Sequence, residues 1–251
     1  MIELQELDRF LYTYLGVAFI PDFCPNGIQV EGRKIIDLLA TAVSANLETL
    51  EEAVSRGVHA LIVHHGLFWK GDSYRVQGAL KKKLQLLMDH NISLLAYHLP
   101  LDAHDSVGNN WRAAQEMGWS DLEPFGKYEK SYLGVKGTFS PREIDCFIAE
   151  VEAYYQHSAT IAKGGKKEVR SAALISGGAW KEIKSAADAG VDCFITGNFD
   201  EPAWSLAKEE GIHFLALGHS ATERVGPKAL GSYLEQHFQI PCPFLDIQNP
   251  F

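Results

Sequence analysis

Short apolar runs alternate with amphipathic helical patterns along this chain, and that alternation limits the fold more than any other feature of the sequence. In the first half, helical patterns at 47–57 and 78–90 separate three runs with the length of buried strands, at 35–44, 59–65 and 92–99. Strand, helix and strand in succession is typical of a parallel sheet with crossover helices. The sequence therefore predicts an α/β fold with mainly parallel sheets flanked by helices.

The second half repeats this rhythm after an interruption at 124–130. A helix is expected to open at Ser140-Pro141, since proline is favourable in the first turn of a helix. Three more apolar runs follow, at residues 171–178, 192–197 and 213–219. We therefore predict two similar α/β subdomains, residues 1–125 and residues 126–251, both contributing to one functional site.

The composition excludes several classes of protein. Hydrophobic residues make up 46% and charged residues 22% of the chain, which is ordinary for a globular protein and excludes wholesale disorder. No apolar run approaches the roughly 18–20 residues that cross a bilayer. The first residues lack the basic stretch and the uninterrupted apolar core of a secretory signal. These features predict a cytoplasmic protein without membrane contact.

The cysteines and the net charge narrow the range of ligands. The four cysteines are far apart in sequence, which excludes a thiolate zinc site of the CxxC kind and disfavours a disulfide framework. They are expected to be reduced and mostly buried. The formal net charge of -9 disfavours sequence-independent binding to nucleic acid.

Polar clusters rich in histidine and carboxylate follow three of the predicted strands. HHG contains His64 and His65, HLPLDAH contains Asp102, and GHSATE contains His219 and Glu223. Parallel sheets bind ligands beyond the carboxyl ends of their strands, so we predict that the three clusters face one cleft. Imidazole and carboxylate are suitable ligands for zinc, iron or manganese. The sequence therefore predicts a metal site at these strand ends.

The local spacing adds detail to that prediction. Consecutive histidines in a strand point to opposite sides, so both serve one cleft only if the chain turns at Gly66 or if they bind two metals. His219 and Glu223 are four residues apart at the start of a helix expected over 220–238, so they share a face. Asp102 has two oxygens and could bridge two ions about 3.5–4 Å apart.

Each cluster has a simpler interpretation when it is taken alone. Asp102 could be a turn residue after Pro100, and Glu223 could be an acid in a first helical turn, where the helix dipole favours it. An isolated histidine pair is more often structural than metal-binding. Three such clusters at successive strand ends favour the metal site.

The segment from Ser176 to Ala179 lies between a predicted strand and a predicted helix, and two interpretations stay open for it. Its backbone N–H groups could contact a phosphate. It lacks both the GxGxxG spacing and the lysine of a P-loop, so a plain tight turn is the favoured interpretation.

Several long motifs resemble the NIF-three-like family, whose members are also described as GTP cyclohydrolase I type 2 homologues. They occur in the family's order over essentially the whole chain: NGIQVEG, IVHHGLFWKG, HLPLDAH followed by GNN, ISGGA, FITGN, LGHSATERVG and FLDIQNP. The resemblance implies an α/β protein that forms a toroidal homohexamer with two divalent ions in each subunit, of zinc, iron or manganese.

The resemblance also implies roles for individual residues. The metal ligands that it implies are the five residues already found at the strand ends: His64, His65, Asp102, His219 and Glu223. It adds His98 and His104, which flank the aspartate motif and could orient ligands or move protons. With Glu223, these two histidines are the predicted catalytic residues.

One departure from the family pattern concerns activity. Relatives often read TGE where this chain reads TGN, so Asn198 stands in place of a glutamate. A histidine of the following helix is replaced at about Ser205. The five predicted ligands are intact, so the departure concerns catalysis and leaves the predicted metal binding unchanged.

Two functional hypotheses follow. In the first, the protein is a metal-dependent hydrolase of the GTP cyclohydrolase kind, in which metal-activated water attacks C8 of a nucleotide such as GTP and formate leaves. In the second, it is a non-catalytic ring that holds metal or serves as a scaffold. Discrimination between them requires a test of turnover.

Overall fold

The computed structural model describes residues 1–251, which divide into two compact units. The first unit comprises residues 1–107 and 226–248, and the second comprises residues 108–225 and 249–251. The first unit is therefore assembled from two separate stretches of chain, and each unit is described below by itself.

The first unit contains most of the N-terminal elements. In chain order they are β1 (Ile2–Glu3), α1 (Leu4–Tyr14), β2 (Gly27–Val30), β3 (Ile35–Ile36), β4 (Leu39–Ser44), α2 (Leu47–Ser55), β5 (Ala60–His65), α3 (Gly78–Asp89), β6 (Ser93–Ala96) and α4 (Leu99–Ala103). The second unit contains α5 (Asn109–Glu116), β7 (Ser120–Tyr128), β8 (Ser131–Glu143), α6 (Ile144–Tyr155), β9 (Thr160–Lys163), β10 (Glu168–Leu174), α7 (Ile183–Asp188), β11 (Cys193–Thr196), α8 (Glu201–Glu209), β12 (His213–Ala216) and α9 (His219–Thr222). After them, α10 (Val225–Phe238) lies in the first unit except for its first residue.

The larger sheet of the first unit has four strands in the order β2-β6-β5-β4, and β1 and β3 form a separate antiparallel pair. β4, β5 and β6 are parallel, and β2 is antiparallel to β6 at one edge. Successive side chains point to opposite faces, so Ile62 packs in a core with α1 and α10 while its neighbour Leu61 packs in a core with α2 and α3. The strands are buried on both faces, as expected for a parallel sheet covered by helices.

The sheet of the second unit has six strands in the order β7-β8-β10-β11-β12-β9. β10, β11 and β12 are parallel, whereas the outer strands β7, β8 and β9 join antiparallel. Ile195 packs in a core with α5 and α6, and its neighbour Phe194 packs in a core with α7 and α8. The predicted α/β class, with parallel strands flanked by helices, is confirmed. None of the helices has the length and hydropathy that crossing a membrane requires.

Three predicted elements are corrected. The run at 35–44 is two strands, because the chain bends at Asp37 and β3 pairs with β1 whereas β4 pairs with β5. Residues 120–128 form β7 rather than an irregular connection, paired along β8 despite Pro124. The helix predicted to open at Ser140-Pro141 begins at Ile144, because β8 continues past the proline and Arg142 still pairs with Val169.

Candidate metal centre

β5 ends with two consecutive histidines. It is a central strand, paired with β4 on one side and β6 on the other, and its apolar residues are buried. His64 is fully buried, whereas His65 is partly exposed. The chain then turns at Gly66, where an added Cβ would lie 2.3 Å from Oε1 of Gln29. That oxygen accepts a hydrogen bond from the backbone N–H of Leu67 at 2.7 Å, so glycine fits this turn and larger residues do not.

The chain that leaves β6 supplies a carboxylate and a third imidazole. α4 begins directly after His98 and has Pro100 in its first turn. Oδ1 of Asp102, in this helix, lies 3.6 Å from Nε2 of His64. One ring nitrogen from each of His64, His65 and His98 lies within 4.8 Å of the others. The first unit therefore gathers three imidazoles and a carboxylate in a small volume.

The Nδ1 atom of each of these histidines contacts an oxygen. The pairs are His64 with the carbonyl of Tyr97 at 3.3 Å, His65 with Oγ of Ser44 at 3.0 Å, and His98 with Oδ1 of Asp22 at 3.0 Å. A carbonyl and a carboxylate accept hydrogen bonds, so the Nδ1 atoms of His64 and His98 donate, and Nε2 can carry the lone pair. Metal-binding histidines use their second nitrogen in this way almost without exception.

The contact between His64 and Asp102 tests whether a metal fits. If Nδ1 carries the only proton of His64, the lone pair of Nε2 faces a carboxylate oxygen at 3.6 Å. Two electron-rich atoms so placed are stabilised by a cation between them. That cation is either a second proton on His64 or a metal ion, and a protonated histidine is costly to bury. Metal–ligand bonds of about 2.0–2.2 Å at a tetrahedral angle bring two ligands of one ion to about 3.3–3.5 Å. Nitrogen and oxygen donors of this kind fit zinc, iron or manganese.

Asp22 holds His98 and the start of α4. Its Oδ1 accepts the N–H of Cys24 at 3.0 Å as well as the His98 ring, and its Oδ2 accepts the N–H of Leu99 at 2.8 Å and Nδ2 of Asn26 at 3.1 Å. Oδ1 of Asn26 accepts the N–H of His98 at 2.8 Å. Burial acts to raise the pKa of Asp22, but these hydrogen bonds and the charge that His98 carries when protonated hold it below its ordinary value. Asp22 is therefore an ionised partner of His98.

The second unit presents its polar residues where three parallel strands end. The segment Ser176–Gly178 follows β10, Asn198 follows β11, and His219 follows β12. Nε2 of His219 lies 3.1 Å from Oε1 of Glu223, which is almost completely buried. An imidazole and a carboxylate four residues apart therefore meet, as the sequence predicts.

The helix that was predicted over 220–238 is not continuous. α9 ends at Thr222, and Glu223 and Arg224 separate it from α10. Oγ1 of Thr222 donates back to the carbonyls of Gly218 and His219 at 3.0 and 2.9 Å, which completes a single turn. Glu223 is thus the residue that caps this turn rather than a member of a long helix.

Gly177 is fixed against the His219–Glu223 pair. Its carbonyl accepts Oγ1 of Thr196 at 3.0 Å, and its N–H donates to Oγ1 of Thr222 at 3.0 Å. Its φ is 66°, and an added Cβ would lie 2.3 Å from Oε1 of Glu223. The glycine is therefore required both by a left-handed turn and by the space that the carboxylate occupies.

The remaining predicted residues have different surroundings. Nε2 of His104 donates to the carbonyl of Tyr14 at 3.0 Å, while its Nδ1 lies 3.3 Å from the N–H groups of Ser106 and Val107. Burial lowers the pKa of His104. Both ring nitrogens therefore serve the local structure. Asn198 and Ser205 are exposed, and Nδ2 of Asn198 lies 3.5 Å from where a Cβ on Gly178 would be.

Sequence reasoning missed the residues that orient the donors. Asp22 and Asn26 lie in a stretch that carries the composition of a turn, and Ser44 is the last residue of an apolar strand. Two polar side chains four residues apart in the segment PDFCPNG were the only local signal. Their partner His98 lies 76 positions from Asp22, so nothing local identifies the pair.

Comparisons with known proteins agree over the whole chain. The family described as Duf34/NIF3 (NGG1p interacting factor 3) matches residues 2–250. A Chlamydia pneumoniae relative named GTP cyclohydrolase 1 type 2 homolog is 52% identical, with 100% of both chains covered. A relative of the same name from Escherichia coli K12 is 37% identical, with 98% of each chain covered.

Two solved structures resemble the chain along its full length. One, described as protein ybgI of unknown function, has a TM-score of 0.93 and 37% identity, with 100% of both chains covered. The other, from Thermus thermophilus, has a TM-score of 0.92 and 32% identity, also with 100% of both chains covered.

Proposed function

Because the chain belongs to the Duf34/NIF3 family, we propose that it binds two divalent metal ions per subunit and acts as a metal-dependent hydrolase on a nucleotide-like substrate. The proposed ligands come from both units: His64, His65, Asp102, His219 and Glu223. Relatives that carry the name GTP cyclohydrolase 1 type 2 homolog support this class of reaction. A homohexamer is proposed with it, on the resemblance alone.

The contact of His64 with Asp102 is the observation that most supports metal binding. The carbonyl of Tyr97 accepts from Nδ1 of His64, so Nε2 is the ring atom that faces the carboxylate at 3.6 Å. A purely structural histidine would be expected to direct an N–H at such an oxygen at about 2.9 Å. The wider separation is closer to that of two ligands that share an ion.

In the proposed reaction, His98 accepts a proton from the attacking water. Bound divalent ions would lower the pKa of that water and polarise the attacked centre. Asp22 keeps the proton of the neutral His98 ring on Nδ1, so Nε2 is the acceptor, and its charge stabilises the imidazolium that forms. We assign this role to His98 rather than His104, because both ring nitrogens of His104 contact backbone groups.

Metal content per chain tests the proposal. We expect about two ions per chain by elemental mass spectrometry, as two-metal sites require, and a clear loss in Asp102→Asn and in Glu223→Gln. The matched control is His90→Gln, since His90 is an exposed histidine at the end of α3. Absence of bound metal after incubation with zinc, manganese or ferrous iron would refute the proposal.

Turnover is tested separately on the metal-loaded protein. The cyclohydrolase form of the proposal predicts one formate released for each GTP consumed, with loss of this activity in His98→Gln. The non-catalytic alternative is favoured by Asn198, whose amide cannot replace a titratable carboxylate. Full metal occupancy without turnover of GTP or other nucleotides would support that alternative.

A further inference from the structure

Two aromatic side chains border the histidine group of the first unit. The rings of Phe23 and Trp69 lie 5.0 and 5.1 Å from the ring of His98, both at steep angles to it, and 5.6 Å from each other. Trp69 also lies 5.8 Å from His65. Phe23 is 46% exposed although its neighbour Asp22 is nearly buried. Nearly half of Phe23 is therefore open to solvent directly beside buried polar groups.

The loops that carry these rings are fixed to one another. The backbone N–H of Lys70 donates to the carbonyl of Phe23 at 2.7 Å. Gln29 links the same two loops, since its Oε1 accepts the N–H of Leu67 and its Nε2 donates to the carbonyl of Pro25 at 3.1 Å. Asp22 anchors the first loop further. The backbones that carry the two rings are therefore fixed by hydrogen bonds, and Trp69 also packs against the core beside α2 and α3.

We propose that Phe23 and Trp69 form a platform on which a planar heteroaromatic ring of the substrate stacks. This proposal rests on the proposed function, because the ring would lie beside the His65 and His98 side chains that the reaction uses. A purely hydrocarbon group would contact the apolar faces of the platform but would offer no polar atom to Nε2 of His98. A heteroaromatic ring presents a π face to Phe23 and Trp69 and polar edge atoms to the histidines. Purine and pterin rings have this character.

Binding to the metal-free protein tests the platform. Isothermal titration of EDTA-treated protein would compare guanosine and adenosine with ribose, which has no aromatic ring. We expect both nucleosides to bind and ribose not to bind. Phe23→Ala should weaken guanosine binding by about 5- to 150-fold, the range for loss of one stacking partner. Phe23→Tyr, which keeps a ring, should bind within about twofold of the original protein.

Tyr74→Ala is the matched control, since Tyr74 is a fully exposed aromatic residue of the same region of chain. It should leave guanosine binding unchanged, and thermal melts should show all three variants folded. Equal binding by Phe23→Ala and the original protein, binding of ribose, or no nucleoside binding with or without added zinc would overturn the platform. Metal content measured on the same samples separates the two proposals. Ring binding by protein that cannot bind metal would refute the metal site alone, and metal binding without ring binding would refute the platform alone.

Discussion

Replacement of Gly177 by alanine should weaken metal binding while leaving the protein folded. The new methyl group would be placed 2.3 Å from Oε1 of Glu223 and 3.2 Å from Nε2 of His219. The carboxylate is the end of a flexible side chain and can retreat, whereas Gly177 itself is held by Thr196 and Thr222. The substitution therefore acts on the position of the carboxylate.

The substitution at Gly177 has two effects, one on folding stability and one on metal affinity. The left-handed backbone of Gly177 costs alanine about 1–2 kcal/mol of folding free energy. To reach an ordinary contact of about 3.5 Å, Oε1 of Glu223 must move by about 1 Å. Metal–ligand distances tolerate about 0.2 Å, so Glu223 would no longer bind in its original geometry. We expect metal affinity to fall about tenfold or more.

Gly190→Ala is the control for the cost of placing alanine in a left-handed backbone. Gly190 lies in the same unit with φ of 73°, and an added Cβ there meets nothing within 4 Å. Urea unfolding should show a similar loss of stability in both variants. Competition with a metal indicator should show weaker binding in Gly177→Ala alone. Equal metal affinity in the two variants would show that Glu223 is not a ligand, or that the methyl group does not displace it.

Two further predictions concern Asp22 and the thiols. Asp22→Asn should lower the free energy of unfolding by about 2–4 kcal/mol, because the amide loses the charge and turns an N–H toward existing donors. Asp72→Asn, at an exposed site, is the control. A loss in Asp22→Asn within about 0.5 kcal/mol of that control would contradict the hydrogen-bond network of Asp22. The folded pKa of Asp22 is lowered, so this stabilisation is present above the unfolded value and declines as the pH falls through the folded value. At pH 8 iodoacetamide should label Cys146 rapidly, because it alone of the four cysteines is exposed. Burial raises the pKa of Cys24 to about 11 and of Cys242 to about 12, so at pH 8 their thiolate fraction is about one in 1,000 or less. Labelling of either cysteine before urea is added would refute the prediction that both are buried and protonated.

Much of the architecture was predictable because it depends on local sequence. The runs that became β5, β6, β11 and β12 are apolar, short and bounded by helices, and such a run is buried wherever the helices pack. The start of α2 also has a local cause, because Asn46 is a favoured N-cap residue and its Oδ1 accepts the N–H of Thr49 at 2.8 Å. The predicted bounds of an element were wrong where pairing with a distant strand overrode the local sequence preference, as in the continuation of β8 past Pro141.

The candidate metal ligands could also be predicted from the sequence. A polar cluster at the end of an apolar strand is a local signal, and the parallel sheet brings such ends to one edge within each unit. The contacts of His64 with Asp102 and of His219 with Glu223 join residues whose clusters were identified in this way. Whether the five residues bind metal together stays a prediction.

The sequence by itself determined the α/β class, the strand ends and the chemical type of the donors, because periodicity and residue type are properties of short segments. Only the tertiary structure decided how the donors are oriented and supported. The Asp22–His98 hydrogen bond and the close approach of Gly177 to Glu223 each join residues distant in sequence. The exposure of Phe23 beside His98 likewise depends on tertiary packing. Such contacts depend on distances of a few tenths of an ångström after packing, and no pattern of residues along the chain specifies those distances.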